Sequence, residues 1–347
     1  MTGRTVADAA GSAVSAADAG GLLRAYEAAS MYYVQGETME VIAHHLGVSR
    51  STVSRLLARA RQEGVVRVSL VQPGGAGSLE GRMAQVFGVR MHIVPVREGT
   101  TEIHRLQQVA AVAAARFADM VVEEAGGSGA GEGGLVIGTA WGTTMSELSA
   151  ALPVRRVPGA TVVQLNGASD PLREGPSAGE VLARMGSALG ARTIAFPVPA
   201  FFDRVATRRA MWSERSIGRV LAVARRARLA VFGVGSVQGA LPSQVYAAGH
   251  LSRQDLAVAR REGVVGDVCT VLLRADGSWG DIELNARATG PTPLQLARIP
   301  RRLCVVAGAG KARATLAALR ARVATDLVID DAAARAVLAL ATRKERA

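Results

Sequence analysis

With 347 residues and a formal net charge of +12, the chain is too long for one small domain and suggests two or three folding units. No run of eighteen apolar residues appears and no charged-then-apolar leader opens the chain, so we expect neither a membrane span nor secretion. The two cysteines, Cys269 and Cys304, lack the spacing of a metal site, so by default we expect a cytoplasmic protein without metal or cofactor.

The chain begins with residues 1–20, which are rich in Ala, Gly, Ser and Asp and predict a disordered lead. From Leu22 to Val34 the spacing of the larger apolar residues predicts an amphipathic helix. Its inward positions would be Leu22, Leu23, Tyr26, Ala29, Met31 and Tyr33. Such a helix could close a three-helix core with the two helices that follow.

Two short helices joined by a tight turn are predicted between Thr38 and Arg61. Thr38 and Ser49 are candidate N-caps, and Gly47 stands where the chain needs a positive φ. The inward positions expected are Val41, Ile42 and Leu46 in the first helix, and Val53, Leu56, Leu57 and Ala60 in the second. This is the arrangement of a helix-turn-helix, whose second helix enters the major groove of DNA.

The outward face of the second helix carries hydroxyl groups and arginines, with no acid between Ser49 and Gln62. Arginine forks onto guanine, and serine or threonine can bond a base or a phosphate. The candidate DNA-binding residues are therefore Ser49, Arg50, Ser51, Thr52, Ser54, Arg55 and Arg59. The alternative is a surface helical hairpin with a solvated basic face.

A strand predicted from Val65 to Val71 would form a wing beside this motif, so residues 21–72 are expected to be a winged helix-turn-helix domain. Residues 73–78 would be a linker, since Pro73 to Gly77 reads PGGAG. Residues 79–347 would then form a second, larger domain.

After Leu79, short apolar runs alternate with helical segments, a pattern typical of an α/β fold with a doubly wound, mostly parallel sheet. The predicted strands are His92–Val96, Leu135–Gly138, Thr161–Leu165, Thr193–Phe196, Leu229–Gly235, Asp267–Leu273, Leu303–Ala307 and Leu327–Ile329. The predicted helices are Glu102–Glu124, Thr143–Leu152, Ser177–Leu189, Thr207–Arg226, Arg253–Glu262, Lys311–Ala321 and Asp331–Thr342. Such sheets bind ligands beyond the carboxyl ends of their strands.

The best candidate for a ligand site is the turn Gly142-Thr143-Thr144, where a strand end meets a helix start. Free N–H groups at that start and two hydroxyls suit a phosphate, although a simple capped turn would look alike. Gly235 and Lys311 follow two other strands, and a lysine at this edge could meet a phosphate or be merely solvated. Neither segment satisfies a P-loop or a dinucleotide-binding pattern.

Asp267, and Glu283 together with Asn285, are candidate binders of ligand hydroxyls, each on weak grounds alone. The five histidines are scattered, and no catalytic triad order stands out. We therefore expect no enzyme.

Taken together, the motifs resemble the SorC family of sugar-responsive bacterial transcription regulators. The stretch from Met31 to Leu70 looks like the family's DNA-binding segment, and IGTAWGTTM, VVQLNGA, GVGS, GVVGDV and the Lys311 segment recur in its order and spacing. The resemblance implies an effector domain folded like phosphosugar isomerases, usually assembled as a tetramer, here a dimer of dimers. It also implies that Gly142, Thr143, Thr144 and Lys311 hold a phosphate while Asp267 and Glu283 face the sugar.

The leading hypothesis is a regulator that binds a double-stranded DNA operator with an affinity controlled by a small phosphorylated sugar. A sugar-phosphate isomerase or deaminase with an appended DNA-binding domain is the alternative, and it would need a general base near its substrate. A scaffold that oligomerises and binds neither DNA nor ligand is a third class.

Overall fold

The computed structural model describes residues 16–66, 75, 77–127, 134–168, 177–239, 243–247 and 249–343. It divides into two compact units, one up to residue 73 and one from residue 74. None of the helices in these ranges is long and apolar enough to cross a membrane. Residues 1–15 of the predicted lead, the predicted wing strand beyond Val66 and half of the linker lie outside the described residues. Residues 16–20, predicted to belong to the disordered lead, are helical.

In the described residues of the first unit, three helices surround a small apolar core. They are α1 (Ala16–Ala29), continued by a π-helical turn (Ser30–Val34), α2 (Met39–Leu46) and α3 (Arg50–Gln62). Thr38 and Ser49 cap α2 and α3 as predicted, because each side-chain oxygen accepts a bond from the backbone N–H three residues on. Gly47 has a φ of 63°, in the left-handed region that ends α2.

The core of the first unit depends on smaller residues than predicted. In α1 the buried positions are Ala25, Ala28 and Ala29, while Leu23 and Tyr26 are 65% and 58% exposed. The inward assignments of Leu23, Tyr26 and Tyr33 were therefore wrong, whereas Ala29 is buried and Met31 packs against the core as predicted. The buried alanines let α1 approach α3 closely. In α2, Ile42 is fully buried and Val41 is 45% exposed, so the inward assignment of Val41 was also wrong.

The second unit is built on a mostly parallel sheet, as predicted. Its parallel strands are β1 (Arg90–Val94), β2 (Val136–Thr139), β3 (Thr161–Gln164), β4 (Arg192–Ile194), β5 (Leu229–Ser236), β8 (Arg301–Val306) and β9 (Asp326–Asp330). They lie in the order β1-β9-β8-β5-β2-β3-β4. An antiparallel hairpin of β6 (Val264–Val268) and β7 (Val271–Arg274) extends the end of β5.

Helices connect and cover these strands. They are α4 (Leu79–Phe87), α5 (Glu102–Gly126), α6 (Thr143–Ala150), α7 (Ala178–Leu189), α8 (Val205–Ser213), α9 (Arg215–Ala224), α10 (Gln244–Ala247), α11 (Arg253–Arg261), α12 (Pro293–Leu296), α13 (Ala312–Arg320) and α14 (Asp331–Arg343). Right-handed crossovers place α5, α6 and α7 on one face, and α9 and α13 on the other, because the two groups run in opposite directions along the sheet.

Two predicted elements are each divided in the structure. The run Asp267–Leu273 contains a two-residue turn at Cys269 and Thr270, whose φ values of 48° and 71° reverse the chain into the β6–β7 hairpin. The predicted helix Thr207–Arg226 breaks at Glu214, which has an extended φ, ψ pair of −68° and 132°. Neither break carries the glycine or proline that would have indicated it.

β2 and β5 are parallel neighbours, but the strands that follow them in sequence are added toward opposite edges of the sheet. The connection after β2 leads outward to β3, whereas the connection after β5 leads the other way to β8. In an open α/β sheet this switch point leaves a crevice outside the carboxyl ends of the strands. The structure therefore fixes where a ligand site would lie before any side chain is considered.

Candidate functional site

The candidate DNA-binding surface is the N-terminal half of α3. Ser51, Ser54 and Arg55 are exposed, and Arg50 is exposed in an ion pair with Glu40 whose N···O distance is 2.9 Å. The Arg55 guanidinium donates to the hydroxyl of Thr52 at 3.1 Å. Val53, Leu57 and Ala60 are buried on the opposite side of the helix. The core therefore orients this polar face outward, where a major groove could accept it.

Ser49 and Arg59 differ from the other candidates on α3. The Ser49 hydroxyl caps the helix and contacts the hydroxyls of Ser51 and Thr52 at 2.8 and 2.9 Å. The Arg59 guanidinium lies against Gly21 of α1, where a Cβ would collide with it. Arg59 thus packs on its own unit, and Ser49 organises the first turn of α3.

A cavity of about 180 Å³ lies at the switch point of the sheet. Six of the seven predicted effector-binding residues line it: Gly142, Thr143, Thr144, Gly235, Asp267 and Lys311. They come from the ends of β2, β5, β6 and β8, which the topology brings to one edge. The structure does not bring Glu283 to this cavity; it is exposed at the start of a 3-10 turn (Glu283–Ala286). Its neighbour Asn285 bonds the backbone of Leu272 on β7.

The start of α6 offers unpaired donors to the cavity. Gly142 has a φ of 124°, which turns the chain from β2 into the helix. The carbonyl of Gly142 accepts from the amide of Ser146, and no acceptor within the described ranges serves the amides of Thr143, Thr144 and Met145. Thr144 is buried against Gly233 of β5. This turn can therefore receive an anion with backbone N–H groups and two hydroxyls.

Asp267 presents an unsatisfied oxygen. One carboxylate oxygen accepts the amide of Thr270 at 3.1 Å, and the other is buried and has no hydrogen-bond partner among the described residues. Burial raises the pKa of Asp267 to about 6, although the bond from Thr270, the nearby Tyr246 hydroxyl and the charge of Lys311 oppose that rise. Burial and the nearby Asp267 carboxylate also raise the pKa of the Tyr246 hydroxyl well above its usual value. An unpartnered buried acceptor of this kind is ready for a ligand hydroxyl.

Lys311 ends a 3-10 turn (Ala309–Lys311) after β8. Within the described part of the chain, its ammonium makes no hydrogen bond or ion pair at contact distance, and burial lowers the pKa of Lys311. The carboxylates of Asp267 and Glu102 are close enough to oppose that fall. Lys311 is the only cationic side chain among the described residues that line the cavity.

Four residues in or beside the site were not predicted from the sequence: Asn166, Glu102, Arg105 and Asp330. Asn166 lies two residues after the end of β3, and its side-chain oxygen is buried in the cavity wall with no partner among the described residues. The rule that ligands bind just after strands would have found it. Asp330, at the end of β9, accepts from Arg105 at 3.1 Å and from the amide of Gly308 at 2.6 Å. No local pattern in the sequence indicates these contacts, because Arg105 and Gly308 each lie more than twenty residues from Asp330.

Comparison with known proteins identifies both units. Residues 72–339 match the family described as "Putative sugar-binding domain", and residues 29–63 match "Sigma-70, region 4". The transcriptional regulator LsrR of Enterobacter sp. (strain 638) is 31% identical over 317 residues, which cover 89% of this chain and 91% of LsrR.

Solved structures agree with that match. A domain of a "possible sugar-binding transcriptional regulator" from Arthrobacter aurescens TC1 is 39% identical, with a TM-score of 0.67, over 78% of this chain and all of that one. The full-length sorbitol operon regulator SorC from Klebsiella pneumoniae shares the fold at 22% identity, with a TM-score of 0.68, over 90% of this chain and 97% of that one.

Proposed function

This chain belongs to the SorC family of sugar-responsive bacterial transcription regulators, and we propose that its effector is a small phosphorylated sugar bound at the switch-point cavity. The observation that carries the proposal is the start of α6, where three amides without acceptors and two threonine hydroxyls face the same cavity as Lys311. Such a cradle suits a phosphate. Asn166 and Asp267 add buried oxygens that can accept bonds from sugar hydroxyls.

DNA would be read by the exposed face of α3. Arg50, Ser51, Ser54 and Arg55 would contact bases or phosphates, and Thr52 would hold Arg55 in position. In a homo-oligomer arranged as a dimer of dimers, two copies of α3 would lie about 34 Å apart and read a palindromic operator. Such a protein would work in the cytoplasm, beside the chromosome.

The two activities would be coupled through the equilibrium between arrangements of the oligomer. A ligand changes DNA affinity only if it binds those arrangements unequally, and DNA must then change ligand affinity by the same factor. A regulator therefore needs no chemistry at Asp267, although a carboxyl with a pKa near 6 could serve as a general base.

The test is a thermal-shift screen of the full chain against sugars and their phosphates, followed by DNA binding with and without each hit. We expect phosphorylated sugars to raise the melting temperature and at least one to change operator affinity about 5-fold or more. The same mixtures assayed for turnover should stay unchanged. A chain that responds equally to sugars with and without phosphate would overturn the assignment of the α6 turn.

A further inference from the structure

Among the charged side chains that line the cavity, carboxylates outnumber ammonium groups, and this excess disfavours an anionic ligand. Among the described lining residues, three side chains are charged: the Lys311 ammonium and the carboxylates of Asp267 and Glu102. Arg105 cannot make up the difference, because it is buried and already paired with Asp330 at 3.1 Å and with Glu102 at 3.4 Å. A ligand with several negative charges would therefore enter a cavity whose described lining has one ammonium group and two carboxylates.

The edge of the sheet nevertheless has two places where an anion could bind. One is the start of α6 after β2, and the other is the turn after β8, where the amides of Ala309 and Gly310 have no acceptor in the described ranges and Lys311 is adjacent. Because β5 lies between β2 and β8, the two places are about 10 Å apart. Without further constraint, this spacing would suit a sugar phosphorylated at both ends.

Glu102 stands at the second place. A Cβ on Gly308 would collide with the Glu102 carboxylate, so this carboxylate lies directly against the turn after β8. It is held there, because Arg105 pairs with Glu102 and is itself anchored by Asp330, which also bonds the amide of Gly308. Its side chain is 39% exposed, so water weakens its field without removing it.

We infer that Glu102 restricts the cavity to ligands with a single phosphate, by repelling a second anionic group from the turn after β8. Glu102 then determines specificity through repulsion, a device that discriminates between otherwise similar ligands. The inference rests on the proposed function and narrows its effector to monophosphorylated sugars. A hydroxyl at the far end of such a sugar could instead donate to the Glu102 carboxylate.

The test measures binding by calorimetry to the full chain with matched probes: ribose 5-phosphate and ribose 1,5-bisphosphate, then fructose 6-phosphate and fructose 1,6-bisphosphate. In each pair whose monophosphate binds, we expect the bisphosphate to bind more weakly by roughly tenfold or more. Glu102→Gln should improve bisphosphate affinity by roughly tenfold while changing monophosphate affinity much less. Glu98→Gln is the control, since Glu98 is exposed and lies outside the cavity.

Glu102→Ala removes the carboxylate without adding an amide, and it should also improve bisphosphate affinity relative to monophosphate affinity. Agreement between the two variants would show that the effect comes from the lost carboxylate and not from the new glutamine amide. Equal or tighter bisphosphate binding by the unaltered chain, unchanged in both Glu102 variants, would overturn the inference and leave the proposed function standing. Failure of every phosphorylated probe to bind would overturn both.

Discussion

Gly235 on β5 and Asp267 on β6 face each other in the antiparallel ladder, with no space for a side chain on the glycine. A Cβ at Gly235 would collide with the unpartnered oxygen of Asp267 and lie 2.7 Å from the hydroxyl of Ser243. The absence of a side chain at Gly235 is therefore what lets the Asp267 carboxylate stand at the cavity wall.

Gly235→Ala should displace Asp267 and abolish the melting-temperature shift caused by a phosphorylated sugar, while DNA binding persists. Gly218→Ala is the matched control, because Gly218 lies in α9 with open space around it. That substitution should leave the ligand response intact and stabilise the chain by up to about 1 kcal/mol. An undiminished ligand shift in Gly235→Ala would contradict the assignment of Asp267.

Thr144→Val keeps the shape of the buried side chain and removes its hydroxyl. If the start of α6 binds phosphate, this change should lower ligand affinity by about tenfold, as expected for a lost hydrogen bond to a charged group. Thr207→Val on the exposed face of α8 is the control and should have no effect on ligand affinity. Titration of both variants with the same sugar phosphate checks the prediction, and equal affinities would argue against the phosphate cradle.

Asp267→Asn should stabilise the chain at neutral pH. Because burial raises the pKa of Asp267 to about 6, the folded chain keeps a proton that the unfolded chain releases near pH 4. Stability therefore falls as pH rises between these values, and at about pH 7.5 the ionised carboxylate costs up to about 3 kcal/mol. Urea titrations should show a gain of about 1–3 kcal/mol for Asp267→Asn at about pH 7.5 and almost none near pH 4.

Asp281 supplies a control of opposite sign for this experiment. Its hydrogen bond with Arg274 lowers the pKa of the Asp281 carboxyl, so its contribution is present above the unfolded pKa and is lost as pH falls. Asp281→Asn should therefore weaken the chain slightly at neutral pH. If both asparagine variants shifted stability in the same direction, the pKa assigned to Asp267 would be wrong.

Arg55→Ala should cost roughly 1–3 kcal/mol of operator affinity if Arg55 reads a base, and less on scrambled DNA. Arg61→Ala, near the end of the same helix, removes the same charge and should weaken both DNAs alike. Fluorescence anisotropy at fixed salt separates the two patterns. If Arg55→Ala lost the same affinity for both DNAs, Arg55 would contact the phosphate backbone and not a base.

Asp330→Ala should be among the most destabilising changes in the second unit. It removes a fully buried carboxylate and leaves the buried guanidinium of Arg105 with Glu102 as its remaining ion-pair partner. Breaking a buried pair in this way costs about 3–5 kcal/mol. Asp119→Ala on the exposed side of α5 should change the free energy of unfolding by less than about 0.5 kcal/mol.

The parts of the fold predicted from sequence were those with local signals. Thr38, Gly47 and Ser49 act within one helical turn of themselves, and so the helix-turn-helix was predicted with nearly correct bounds. The alternation of apolar runs and helices indicated the parallel sheet in the same way. In contrast, the turn at Cys269 and Thr270 uses residues that seldom adopt a positive φ, and it is formed by tertiary contacts.

Sequence patterns identified those cavity residues that come shortly after a predicted strand. Thr143, Thr144 and Lys311 are of this kind, whereas Glu283 was misplaced because the β6–β7 hairpin was not predicted. Glu102 follows the first strand at the start of α5, but its importance comes from contact with Gly308, about two hundred residues later. Contacts of that range arise from packing and leave no pattern in the sequence.

The wall of the cavity has an apolar cluster of its own. Trp141 and Val245, which line the cavity, belong to this smaller cluster together with Leu272 and Leu284, while the strands of the parallel sheet are buried in the main core. Because the two clusters are separate, α11 and the 3-10 turn after β7 can lose their protection against hydrogen exchange while β8 and β9 keep theirs. A ligand held between the two clusters would then slow exchange in the wall, and that slowing would report occupancy of the cavity without any label on the ligand.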